Sequence, residues 1–69
     1  MILGQINIRV LREDILAAEL GCSVVASENQ ITLSGADAET VAESIESQGF
    51  SRKNTNEDGS IEFAVVIIE

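Results

Sequence analysis

From Ile2 to Val10 apolar and polar positions alternate. Ile6, Ile8 and Val10 share one parity, and Gln5, Asn7 and Arg9 share the other. This is the period-two signature of a half-buried strand. Ile2 and Gly4 continue the inward parity, and Gly4 marks a place where neighbouring backbone can approach closely. The period then changes. Leu16, Ala17, Ala18 and Glu19 are good helix formers in a predicted helix from about Arg12 to Leu20. Gly21 stands where a left-handed C-terminal cap belongs. The apolar positions of this helix are smeared: Ile15 and Ala18 share a stripe, while Leu16 and Leu20 lie roughly 100° or more around the wheel. A helix of that kind is wedged between the sheet and a second surface, or faces a partner.

"SVVASENQITLSG", Ser23 to Gly35, reads as two short strands joined by Glu28-Asn29. A two-residue loop sets Ser27 opposite Gln30, Ala26 opposite Ile31, Val25 opposite Thr32 and Val24 opposite Leu33. The apolar pairs then fall on one face, with Cys22 extending it. Slippage by one residue would mix the faces, so the register is well specified. Asn29 tolerates the positive φ that such a turn requires.

A second helix is predicted from about Ala38 to Gln48. Ala38, Val41, Ala42 and Ile45 form its i, i+3, i+4, i+7 stripe. Asp37 is the N-cap, with Ala36 and Val41 placed for a hydrophobic staple. Gly49 fits the left-handed cap position, from which Phe50 folds back on Ile45. Phe50 to Ser60 is polar, with an Asp58-Gly59 turn signal, and forms either a long loop or a short polar edge strand. The last strand, Ile61 to Ile68, points Ile61, Phe63, Val65 and Ile67 one way and Glu62, Ala64, Val66 and Ile68 the other. Its final half is apolar on both faces, as in a covered or central strand.

The order β-α-β-β-α-β predicts an α+β fold. Short connections and right-handed crossovers favour a ferredoxin-like βαββαβ two-layer sandwich, an antiparallel sheet with both helices on one face. An extra short edge strand near 50–55 would complete it. Residues 1–69 are expected to form one domain.

Composition narrows the chemistry. A chain of 69 residues buries only about 60% of its unfolded surface, and it has one cysteine and no histidine, so neither a disulfide nor a Cys/His zinc set can staple it. Cys22 lies among Leu20, Val24 and Ala26 with no base or cation beside it in sequence, and is expected as core filler. No stretch is apolar enough for a membrane span or a signal peptide. With one free thiol, this points to a cytoplasmic protein. Twelve acidic against four basic residues, a net charge of −8, repel nucleic acid and anionic membranes at long range. A partner chosen by charge is a protein with a basic surface.

The open sheet face predicted from these strands has no aromatic on which a base could stack, which argues against RNA binding. Asn54, Asn56, Asp58 and Gly59 match the first half of the EF-hand spacing. The twelfth position, however, is Val65 and not a bidentate glutamate, and a strand follows where a helix belongs, so a plain turn explains them. Lys53, the sole lysine, sits in a polar stretch with nothing to desolvate it. The five glycines are isolated turns or caps, with no phosphate-binding loop among them. The sequence therefore predicts a non-enzymatic protein with no cofactor and no metal.

Two surfaces remain. Glu39, Glu43 and Glu46 fall within about 60° on the second helix, which carries no Lys or Arg. Like charges one turn apart cost about 0.2–0.5 kcal/mol per pair. The row is a solvated face or a docking ridge for a basic groove, in the manner of small acidic inhibitors that mimic nucleic acid. Ala64, Val66 and Ile68 form an apolar strand end expected at an oligomer interface, a homodimer in the simplest case. The two readings differ in class. One is a small acidic interaction module, of the inhibitor type borne by phages or mobile elements. The other is a homodimeric ferredoxin-like ligand-sensing or assembly domain.

Overall fold

The computed structural model describes residues 4–68. The first element is a short strand, β1 (Gln5–Asn7), followed at once by α1 (Ile8–Ala17). The predicted strand to Val10 therefore ends three residues early, and the helix starts four residues before Arg12. Asn7 explains the switch. Its backbone is extended (φ −83°, ψ 107°) and its side-chain oxygen accepts from the Val10 amide at 3.1 Å, so it is an N-cap. Ile8, Leu11 and Ile15 then lie at helical spacing. Ile8 and Ile15 are buried, Leu11 packs against them, and Val10 turns outward. Ile2 lies outside the described residues.

α1 ends on Glu19, not on Gly21. Glu19 adopts φ +56°, its amide donates to Leu16 O at 3.1 Å, and the Leu20 amide donates to Ile15 O at 3.1 Å. This pair of bonds is the Schellman closure, with Leu20 folding back over Ile15. An ordinary residue holds a conformation that glycine would hold at less cost.

β2 (Ser23–Ser27) and β3 (Gln30–Ser34) form the predicted hairpin in the predicted register, with Asn29 at φ +50°. α2 (Ala38–Ser47) follows and buries Ala38, Val41, Ala42 and Ile45. Gly49 has φ +100°, and its amide donates to Glu46 O at 3.0 Å, which closes the helix as expected. The 50–60 segment supplies an edge strand, β4 (Arg52–Thr55), and the Asp58-Gly59 turn leads into β5 (Ile61–Ala64).

The predicted terminal strand is split. β5 enters an antiparallel four-stranded sheet of order β2-β3-β5-β4, and β6 (Val66–Ile68) leaves it to pair in parallel with β1. Val65 makes the crossing: it is fully buried and its amide donates to Asn29 O at 3.1 Å, while the Val66 amide donates to Gly4 O at 2.8 Å. The first strand thus stays outside the main sheet, where a split βαβ sandwich would seat it. Among the described residues β1 is three residues long and ends at the Asn7 cap, where α1 begins.

One core joins these parts. Ile31, Leu33, Ile61 and Phe63 cover one face of the four-stranded sheet, and residues of both helices pack on it, with Ile6 and Val65 closing the end. Gly4 lies where an added Cβ would strike the Phe50 ring, and its carbonyl accepts from the Val66 amide, so a side chain and neighbouring backbone both approach it. On the reverse face, Val25 is exposed. Among the described residues, no helix is long and apolar enough to cross a membrane.

Candidate functional site

The acidic row of α2 is built, but it is not left alone. Arg52 pairs with Phe63 in the β4–β5 ladder, so its side chain leaves the sheet on the helix-bearing face. It donates from Nη1 to Glu39 Oε1 at 3.2 Å, and from Nη2 to Glu39 Oε2 at 2.6 Å and Glu46 Oε1 at 2.7 Å. Residues 39 and 46 stand two turns apart and one guanidinium spans them. Glu43 lies about 40° around the wheel from Glu39, on the flank away from Glu46, and stays exposed. The row is thus two pinned carboxylates with a free one beside them. Three acids and one arginine leave it a formal charge of −2 (−3 + 1).

Sequence reasoning missed Arg52. The available signal was the edge-strand alternative for 50–60: once β4 is paired with β5, parity puts Arg52 on the helix side.

Hydrogen bonding by Arg52 holds the Glu39 carboxyl below the ordinary glutamate range, and the two glutamates hold the guanidinium proton more firmly than usual. At the β4–β5 turn the Ser60 hydroxyl and amide donate to Asp58 Oδ1 at 2.7 and 2.9 Å and lower that carboxyl too. Both carboxyls bind protons more weakly in the fold than in the unfolded chain. Their contribution is therefore present above the unfolded carboxylate range, about pH 4, and is lost as pH falls through the folded values. The Tm is expected to fall on acidification from about pH 5 to about pH 2.5, and less steeply in Arg52→Gln and Ser60→Ala. Identical acid profiles for wild type and both variants, recorded by circular dichroism, would contradict these two contacts.

The turn residues that share the EF-hand spacing are occupied with one another. Asn56 Nδ2 donates to Ser60 Oγ at 2.8 Å and Glu62 Oε2 at 2.9 Å, and Asn54 donates to Asn56 Oδ1 at 2.6 Å. Among the described residues no group of three acidic or thiol side chains converges as a cation site. Asp37 stands at the N-cap position but makes no cap bond with its side chain. Its carboxylate instead accepts from the Gly21 amide at 2.6 Å, tying the loop before β2 to the start of α2. Cys22 is half-buried against the core, and that burial pushes its thiol up, away from a reactive thiolate.

The expected oligomer surface is divided between two sheets. Ala64 belongs to β5, which is paired on both sides, whereas Val66 and Ile68 belong to β6, paired with β1. Ala64 and Val66 are half-buried and Ile68 is 41% exposed. β1 is what covers this end of the chain.

No family model, curated protein or solved structure matches this chain. Among the described residues, the two outer edges of the main sheet, β2 and β4, differ sharply. β4 carries Arg52 and Lys53 and is bulged between Arg52 and Asn54, features that discourage another strand from adding. β2, "SVVAS", has no charge, proline or bulge. Between it and α1 runs a groove lined by Arg12, Leu16, Leu20, Cys22 and Val24. Leu16 is 79% exposed at its rim, which is the unpartnered side of the smeared first helix.

Proposed function

We propose that the chain is a small acidic, non-enzymatic protein-interaction module of the cytoplasm. It docks a basic surface of a larger protein through the Glu39/Glu43/Glu46 row, as an inhibitor or nucleic-acid mimic of phage or mobile-element type does. The supporting observation is the Arg52 fork. It fixes Glu39 and Glu46 in place before any partner arrives and leaves Glu43 free on the outer flank. Carboxylates held in position lose less side-chain entropy on binding. The net charge of −8 adds long-range attraction to a basic partner.

Tagged chain expressed in its native host and crosslinked there tests the reading. Glu43→Lys should reduce recovery of the bound partner about tenfold. Arg52→Gln, which releases Glu39 and Glu46 from the fork, should also lower it although the row goes from −2 to −3, and raised salt should weaken binding throughout. Recovery indifferent to Glu43→Lys and to salt would remove the acidic row from the interface. Reversing all three glutamates to lysine is a poorer test, because it would set three cations against Arg52.

The second reading, a homodimeric ligand-sensing or assembly domain, is favoured by the edge of β2, which pairs with no further strand among the described residues, and by the exposed end of β6.

A further inference from the structure

We infer that the free edge of β2 is the self-association surface of this protein: two copies pair antiparallel through Ser23–Ser27 to make one continuous eight-stranded sheet. The inference rests on the assembly reading and is independent of the acidic row, since Arg52 and the row lie at the opposite, β4 edge of the sheet.

Backbone geometry comes first. In a two-residue hairpin the closing pair, Ser27–Gln30, exchanges both hydrogen bonds. Val25 and Ser23 then also face β3, and Val24 and Ala26 turn their amides and carbonyls to the free edge. The Arg12 guanidinium donates to Val24 O at 3.0 Å, which shows that this carbonyl points outward. A two-fold axis at Val25 sets Val24 opposite Ala26 of the second copy, and each such pair can exchange two backbone bonds. Arg12 need not leave, because a carbonyl oxygen has two lone pairs.

The side chains are complementary under the same axis. Read in either direction the strand runs Ser, apolar, Val, apolar, Ser. Ser23 meets Ser27, and Val25, 60% exposed on the open face, meets its own copy. The pairing also places the second copy's Ala26 beside the α1 groove and its exposed Leu16. Charge selects the occupant. Arg12, one of the four basic residues, stands at this edge on α1 with its guanidinium on Val24 O. It disfavours a basic peptide and favours an acidic chain. A second copy is acidic and brings Glu28, two residues beyond Ala26, to the side where Arg12 stands.

Sedimentation equilibrium at about 0.15 M salt, where the Debye length of about 8 Å screens net repulsion, tests the pairing. Wild type should be a dimer of twice 7.4 kDa. Val25→Lys, which sets two cations face to face, should raise the dimer Kd about tenfold or more with an unchanged circular dichroism spectrum. Arg12→Glu and Glu28→Arg should each weaken the dimer and together restore it. A wild type that stays monomeric at millimolar concentration would overturn both this surface and the assembly reading. A dimer insensitive to Val25→Lys but broken by Ile68→Lys would overturn this surface and leave the assembly reading standing.

Discussion

Phe63→Ala is expected to remove about half of the chain's folding stability or more at 25 °C. Phe63 is fully buried at the centre of the sheet, opposite Ile31 on β3 and Arg52 on β4. It is one of two aromatics in the protein, so no other ring can fill the space it vacates. Truncating a buried phenylalanine costs about 3–5 kcal/mol in transfer and cavity terms. A domain of this length has a total stability of about 3–10 kcal/mol, and neither a disulfide nor a described metal cluster supplements it. Urea denaturation followed by circular dichroism should show the midpoint displaced to about half its wild-type value or lower. Phe63→Leu, which keeps most of the volume, should cost about 1 kcal/mol. A Phe63→Ala protein with a near-normal midpoint would mean that the core is not centred where the β3–β5 register places it.

Gly35→Ala is the second large effect expected, at about 2–3 kcal/mol. Gly35 has φ +113°, a conformation that L side chains rarely adopt, and a Cβ there would be driven into the Gly21 carbonyl. That carbonyl also accepts from the Asp37 amide at 3.0 Å, while the Gly21 amide donates to the Asp37 carboxylate at 2.6 Å. Gly35, Gly21 and Asp37 therefore form one junction holding the start of β2 against the start of α2. Gly49→Ala is the matched control. Its φ is +100°, but nothing lies within 4 Å of the added methyl, so only backbone strain of about 1 kcal/mol is expected. Equal losses at the two sites in thermal unfolding would show that the Gly35–Gly21 contact carries no energy of its own.

The elements that were legible are those specified by neighbours in the chain. The hairpin register follows from a two-residue loop and from apolar residues that must share a face. α2 follows from its stripe and from Gly49. The misplacements share one cause, which is that a short pattern satisfies two periods. Ile6, Ile8 and Val10 alternate, but Ile8, Leu11 and Ile15 are also spaced for a helix, and the Asn7 cap decides between them. Ile61 to Ile68 reads as one extended segment whose final half is apolar on both faces, yet it serves two sheets. The inward set Ile61, Phe63 and Val65 keeps its parity through the crossing at Val65, so the sequence shows no signal of the split.

The candidate sites divide along the same line. That α2 carries three glutamates in a row is a property of the helix and was readable from spacing. That Arg52 bridges two of them depends on its pairing with Phe63, eleven residues away, across β4–β5 and on a bulge that the sequence does not announce.

By itself, then, the order of residues determined the two helices as entities, the hairpin and its register, the acidity, and the exclusion of histidine-based and disulfide chemistry. Only the tertiary structure decided which strand edges are left bare, which carboxylates are already matched, and where β1 goes. Local periodicity is set by contacts within a turn or a pleat, whereas edges and ion pairs are set by which distant segments win the competition to pair.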